Sequence, residues 1–235
     1  GLLPDGDPEP INPENGESNP HAKSRGPLEV DQWSQSLRSL PIWQLSAAYF
    51  VCGATTSMLG VHFVPYAIGE GISPTIAASA FGFMMALNMV GGIGAGMLSD
   101  RFSSKNLLAL VYFLRGCAYI LLLTIPGTAS LWAFATVAGF SWIATVPLTT
   151  SLTADVYGLR ALGTISGISF LCHQLGGALS TLLAGYLFDL TGSYTLPFAI
   201  VGGLLFPAAL SAFTIKERKY SMRYAVQQAA VGTGG

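Results

Sequence analysis

Six long apolar segments, separated by short polar connections, dominate the amino-acid sequence. Each contains about the 20 apolar residues that an α-helix needs to cross the hydrocarbon layer of a membrane. The pattern therefore predicts an all-α polytopic membrane protein with six transmembrane helices. The predicted spans are residues 42–67, 74–98, 106–125, 129–153, 161–189 and 195–215.

The segments that flank the spans are polar. Residues 1–40 include the run DGDPEPINPENGESNP, which is too poor in apolar residues to order itself. We expect a disordered cytoplasmic tail or linker at 1–40, the membrane domain at 41–215 and a cytoplasmic C-terminal tail at 216–235. Within the first region, residues 28–40 are predicted to form a short interfacial helix.

Composition supports this class and excludes others. Of the 235 residues, 51% are hydrophobic and 10% are charged, whereas a soluble domain carries about 25% charged residues. The net charge of -1 offers no basic surface for nucleic acid. Cys52, Cys117 and Cys172 lie in apolar runs and should behave as small hydrophobic residues. The run GGIGAG at 91–96 is not a nucleotide loop, because no strand precedes it. We also expect no cofactor and no metal.

Basic residues occur in alternate connections, which predicts the orientation of the spans. By the positive-inside rule, connections rich in Lys and Arg face the cytoplasm. Both termini should therefore be cytoplasmic. Ten of the 11 basic residues lie on this side: Lys23, Arg25, Arg38, Arg101, Lys105, Arg160, Lys216, Arg218, Lys219 and Arg223.

Two histidines lie within predicted spans, where a titratable side chain is a candidate functional group. His173, followed by Gln174, falls near the middle of the fifth span, where imidazole can bind a substrate or a proton. His62 lies nearer the outer end of the first span. The alternatives are an interhelical hydrogen bond for His173 and an interfacial position for His62.

Arg115 is the one full charge that lies deep within a span. A guanidinium binds a carboxylate with two hydrogen bonds, so an organic-anion substrate is one interpretation. Pairing with Asp100 or Asp155, or snorkelling, is the other. Asn88 on the second span is a weaker candidate for the same pathway.

Prolines and glycines predict local features of the spans. Pro65 and Pro147 should kink the first and fourth spans, because each removes a backbone hydrogen bond. Glycines at 91–96 in the second span, and Gly163, Gly167, Gly177 and Gly185 in the fifth, should allow close helix packing.

The connection after the second span carries a recognisable motif. The run from Gly96 through Asp100 and Arg101 to Lys105 resembles the cytoplasmic loop signature of the major facilitator superfamily, with Ser103 and Ser104 replacing a Gly and a basic residue. The runs VHFVPYAIGEGIS at 61–73, YFLRG at 112–116 and HQLGGALSTLLAGYLFDLTGSY at 173–194 are similar to bacterial members akin to the monocarboxylate transporter family.

The resemblance implies a secondary active transporter in the cytoplasmic membrane, of twelve helices in two halves. This chain would be the C-terminal half, its partner the missing N-terminal six-helix half of the same polypeptide, and residues 1–40 the linker. The halves would alternate access to a small organic solute, such as a carboxylate coupled to a proton. In that fold the first, second, fourth and fifth helices of a half line the cavity. The expected gating residues are Gly96, Asp100, Arg101, Asp155 and Arg160.

The sequence departs from the resemblance in one respect and leaves two alternatives. The Asp and Arg that animal monocarboxylate transporters use on the second helix of this half are missing between residues 74 and 98. One alternative is a complete six-helix protein that homodimerises as a transporter or scaffold. The other is a rhomboid-like serine protease using Ser141 and His173, whose Gly-x-Ser-Gly pattern fails at Trp142. We therefore expect no enzymatic activity.

Overall fold

The computed structural model describes residues 28, 30, 32–158 and 161–216. Six spans in this part of the chain are long and apolar enough to cross a membrane, which confirms the predicted fold class and the number of spans. The fourth span consists of two helices, α5 and α6. The helices are α1 (Trp33–Ser36), α2 (Leu40–Gly69), α3 (Pro74–Ser99), α4 (Ser104–Thr124), α5 (Thr128–Ser141), α6 (Thr145–Tyr157), α7 (Leu162–Thr191) and α8 (Thr195–Thr214).

Short connections join the spans, and their residues suit tight turns. Gly71 (φ 79°) and Gly192 (φ 68°) take left-handed backbone conformations after α2 and α7, which glycine adopts without a steric penalty. Ser73 begins α3 by accepting a hydrogen bond on Oγ from the backbone N–H of Ile76 at 3.4 Å. Pro74 follows at the first helical position, where its missing N–H costs nothing.

A kink was predicted at Pro147, and the fourth span is broken close to it. The break comprises residues 142–144 and ends three residues before the proline. Helix α5 ends at Ser141 and α6 begins at Thr145. Pro147 has no N–H to donate to the carbonyl of Ile143, and its ring would clash with that carbonyl in a continuous helix. The helix therefore stops at the residues preceding the proline. Pro65, by contrast, lies inside an unbroken α2.

Helix α2 is the centre of the bundle and packs most closely against α7. A Cβ atom on Gly53 would overlap the backbone carbonyl of His173, and one on Gly176 would overlap the carbonyl of Phe50. The two helices therefore touch backbone to backbone. Around this pair, α8 packs against α4 and α2, and α3 packs against α5.

The predicted packing glycines fall into two groups. Gly91 and Gly92 of α3 pack against the fourth span, and Gly177 of α7 packs against Ser57 of α2. At the other members of the predicted set, an added Cβ atom would meet no atom of the described chain within 4 Å. These outward-facing glycines are Gly94, Gly96, Gly163, Gly167 and Gly185.

Two spans are covered on one side only. In its most apolar stretch α2 is 61% buried, whereas α3 is 17% buried and α7 is 28% buried. Large apolar side chains cover the exposed faces of α3 and α7. They include Met89, Ile93 and Met97 on α3, and Leu175, Leu179 and Leu182 on α7.

Candidate functional site

The guanidinium of Arg115 lies in the centre of the bundle, with 1% of the residue exposed. Its Nε donates to Ser141 Oγ at 3.1 Å, and Nη1 donates to Thr55 Oγ1 at 3.3 Å and Cys52 Sγ at 3.7 Å. Its Nη2 donates to the backbone carbonyls of Ser141 and of Trp142, the latter at 3.2 Å. A guanidinium has five N–H donors, and these five acceptors use all of them.

Two of the five acceptors lie at the break in the fourth span. The C-terminal carbonyls of a helix have no partner within the helix and carry partial negative charge. Arg115 therefore caps the end of α5 at the carbonyls of Ser141 and Trp142. Neither Asp100 nor Asp155 is among its acceptors, so its setting is neither a pair with those carboxylates nor a snorkelling position.

Asn88 on α3 also contacts the break in the fourth span. Its Oδ1 accepts a hydrogen bond from the backbone N–H of Ile143 at 2.7 Å. Gly91, one turn further along α3, brings the two backbones together, because a Cβ there would overlap the carbonyl of Phe140. The broken span is thus braced by α4 from one side and α3 from the other.

His173 lies on α7, half-buried, with Nδ1 3.0 Å from Gln174 Oε1. A carbonyl oxygen only accepts, so in this arrangement Nδ1 carries the proton and Nε2 is free to accept one. The imidazole stacks on Phe170 at 5.5 Å and lies 4.8 Å from the ring of Tyr49. Gln174 itself is exposed at the middle of the span.

Cys52 on α2 connects Arg115 to the fourth span. Its thiol is fully buried, 3.1 Å from Thr145 Oγ1 and 3.7 Å from Arg115 Nη1. The apolar run around Cys52 predicts a small hydrophobic residue, whereas the structure places the thiol among polar groups. Its position one turn from Tyr49 and from Thr55, on one helix face, was the available sign of a polar environment.

Three buried side-chain oxygens of the described chain have no hydrogen-bond partner: those of Tyr112, Thr149 and Ser166. Tyr112 lies one turn before Arg115 on α4, and Thr149 lies one turn after Thr145 on α6. Both helices border the region of Cys52.

His62 lies at the opposite level of α2, towards Glu70, and is apart from His173. It is 8% exposed, with Nε2 3.3 Å from the carbonyl of Thr181 and its ring 5.1 Å from that of Tyr194. It therefore joins α2 to α7 and the connection after it. Burial, and secondarily the charge of Asp189, raises the pKa of Tyr194.

The predicted gating residues lie at the end of the bundle away from Glu70. Asp100 caps the C-terminus of α3, with its N–H bonded to the carbonyl of Gly96 at 3.2 Å. Asp155 Oδ2 accepts a hydrogen bond at 3.4 Å from Ser104 Oγ at the start of α4. The carboxylate thus contacts a neighbouring helix N-terminus. Arg101 is exposed beside Asp100, and Arg160 lies outside the described residues.

Sequence comparison gives the family of this six-helix membrane fold. The family model of the Major Facilitator Superfamily matches residues 2–181. The chain belongs to this superfamily of multi-pass membrane transporters, as the loop motif had indicated.

Individual relatives are consistent with that assignment. The chain is 33% identical over 175 residues to the uncharacterized MFS-type transporter YcxA of Bacillus subtilis, covering 72% of this chain and 42% of the relative. It is 32% identical over 162 residues to monocarboxylate transporter 12 of Rattus norvegicus, covering 67% of this chain and 33% of the relative. The chain thus spans less than half the length of these relatives.

A solved structure shares the fold. The fucose:proton symporter FucP of E. coli superimposes with a TM-score of 0.59 at 23% identity, covering 77% of this chain and 46% of FucP. At this identity the likeness supports the six-helix arrangement alone.

Proposed function

We infer that this chain forms the C-terminal six-helix half of a secondary active transporter, which moves a small organic solute by alternating access. The relatives are two to three times as long as the matched region. The exposed apolar faces of α3 and α7 fit a second half that packs against them. In this proposal residues 1–40 are the linker between the halves, residues 41–215 the membrane domain and residues 216–235 the C-terminal tail.

The observation that carries the proposal is the exposed amide of Gln174 beside His173, at the middle of a 30-residue span. A polar side chain facing hydrocarbon at this depth is costly, and such residues usually face a water-filled cavity. A cavity of about 250 Å³ among the described residues lies elsewhere, lined by Tyr66, Glu70 and Thr124 among others. The face with Gln174 is therefore open in this half and suits a cavity shared with the other half.

A carboxylate coupled to a proton is the substrate that we propose. A relative carries the name monocarboxylate transporter. His173, with Nε2 free, can accept a proton and then attract an anion. Arg115 has no N–H left for a carboxylate, so we assign it to the proton pathway and assign substrate contact to His173 and Gln174. His62 and Asn88 remain candidates along the same pathway.

The gating residues complete the proposal. Charged pairs at a bundle end can stabilise one conformation and be broken in the other. We assign this role to the group around Asp100, at the cytoplasmic end that the positive-inside rule predicts. The protein would lie in the cytoplasmic membrane with both termini inside. The group comprises Gly96, Asp100, Arg101, Asp155 and Arg160.

Replacing His173 with Ala in the intact protein tests the proposal. The variant should lose uptake of radiolabelled small monocarboxylates and the dependence of that uptake on external pH, because the side chain that accepts the proton is gone. His21→Ala, in the polar N-terminal region, is the matched control. Unchanged uptake and pH dependence in His173→Ala, at equal membrane expression, would overturn the assignment of His173.

A further inference from the structure

The cavity of about 250 Å³ lies at the end of the bundle where α2 and α4 stop and where α5 and α8 begin. The positive-inside rule predicts that this is the outer end, because the connections here carry no basic residue. Glu70 and Thr124 on its wall are exposed, so the cavity opens to water. None of the described residues that line it belongs to α7, so it is separate from the site around His173. We call it the outer cavity.

Glu70 supplies the only full charge among the described residues that line the outer cavity. Its carboxylate makes no hydrogen bond and no ion pair within the part of the chain that the structure describes. Helix C-termini carry partial negative charge and helix N-termini partial positive charge. Because two of each border the cavity, the carboxylate decides the sign, and the site favours a cation.

The end of α4 adds backbone oxygens that can accept hydrogen bonds from such a cation. Pro126 has no N–H to donate to the carbonyl of Leu122, and the hydroxyl of Tyr66 donates to that carbonyl instead, at 3.2 Å. The carbonyls of Leu123 and Thr124 accept no hydrogen bond within the described residues. As carbonyls of a helix C-terminus they have no partner inside α4, so they are available to a donor in the cavity.

The size and the other walls of the outer cavity indicate what kind of cation it fits. A water molecule takes about 30 Å³ in the liquid, so a bare inorganic ion would leave most of the volume unfilled. Apolar side chains form much of the wall, among them Ile72, Leu122 and Leu131. No group of three His, Cys, Asp or Glu that could hold a metal ion occurs among the described residues. A positively charged head on a short apolar chain matches both kinds of wall.

We propose that the outer cavity binds a small organic ammonium ion from the outer side of the membrane. The three N–H donors of a primary ammonium group bond the carboxylate of Glu70 and the free carbonyls at the end of α4, and the apolar chain packs against Ile72 and Leu131. The bound ion would tie the α2–α3 connection to the end of α4. This site does not depend on which solute the protein transports.

Ligand-observed nuclear magnetic resonance tests the site with n-butylammonium chloride as the probe. Saturation transfer to the probe is measured during titration of the intact protein in lipid nanodiscs. Wild type is compared with Glu70→Gln, because probe that associates with the lipid contributes equally to both. We expect saturable binding to wild type, and binding that is weaker by about tenfold or more in Glu70→Gln, since the charge-assisted hydrogen bond is lost.

Asp189→Asn is the matched control. It removes an exposed carboxylate near the same end of the bundle, on α7 and outside the lining of the cavity, and should bind the probe as wild type does. Equal binding of the probe to Glu70→Gln and to wild type would overturn the proposal.

Two competitions use wild type alone and do not rely on the folding of a variant. Ethylammonium chloride should displace the probe, whereas 1-butanol, which has the same apolar chain without the charge, should not. Displacement by 1-butanol as effective as that by ethylammonium would overturn the recognition of charge. Displacement by sodium chloride at the concentration at which ethylammonium acts would show a site for inorganic cations and overturn the organic ligand.

Discussion

At the residue scale, Arg115 shows how a full charge is held inside a membrane bundle. All five of its N–H groups have an acceptor, and the planar guanidinium reaches α2, α5 and the break in the fourth span together. A lysine ammonium has three donors at one point and cannot span these positions. The shape of the side chain therefore matters here as much as its charge.

Arg115→Lys should consequently destabilise the bundle. Each buried carbonyl left without a donor costs about 1–3 kcal/mol, so we expect a clear fall in the melting temperature of the protein in detergent, measured by size-exclusion chromatography after heating. Arg101→Lys, at an exposed position of the α3–α4 connection, is the control and should melt as wild type. Equal melting of the two variants would show that the network contributes nothing to stability.

The sequence reveals the importance of Arg115 but not its partners. A single charge deep inside an apolar run stands out in the pattern. Two of its acceptors, the carbonyls of Ser141 and Trp142, belong to the backbone, which carries no side-chain signature. The same applies to Asn88, whose partner is the N–H of Ile143. Polar side chains in the apolar runs are therefore visible in the sequence, but the backbone groups that they bind are not.

At the element scale, the broken fourth span is the main departure from the predicted pattern. The residues of the break, Trp142, Ile143 and Ala144, are as apolar as their neighbours, so hydropathy predicts one continuous span. Pro147 was the available signal. It fixes the neighbourhood of the break, but the exact end of α5 depends on the braces from α3 and α4, which come from distant parts of the chain.

The contact of α3 with the break gives a test with a matched pair of glycines. Gly91→Ala should destabilise the protein by about 1–3 kcal/mol, because the added methyl group overlaps the carbonyl of Phe140. A methyl group on Gly94 would meet no atom of the described residues within 4 Å, so Gly94→Ala should be neutral or stabilise α3 by up to about 1 kcal/mol. Urea or thermal unfolding in detergent measures both. Wild-type stability in Gly91→Ala would mean that α3 does not touch the break.

At the scale of the whole molecule, hydropathy is sufficient to predict six spans and their class, because the lipid-facing length of a helix is fixed by the bilayer. It cannot predict which faces meet. The helix pairing comes from glycine contacts such as Gly53 with His173, and only the structure shows that Gly94 and Gly167 face outward instead. The open faces of α3 and α7 are likewise visible only in the assembled bundle.

The predicted orientation can be tested by labelling single cysteines in a variant with no native cysteine. Glu70→Cys should react with a membrane-impermeant maleimide in intact cells, because it lies in a connection without basic residues. Lys105→Cys should react only after the membrane is opened, since its connection is on the positive side. Equal labelling of both positions in intact cells would contradict the predicted orientation and, with it, the cytoplasmic gating group.

A bend held by a guanidinium differs from one held by a metal ion. In broken transmembrane helices, exposed carbonyls often coordinate sodium, and such an ion comes and goes with the salt outside. Here the positive charge belongs to the side chain of Arg115. It is therefore present at the bend of the fourth span whether the buffer contains sodium, potassium or choline. The local rigidity of the chain at Trp142 should therefore not depend on the ion gradient across the cell membrane.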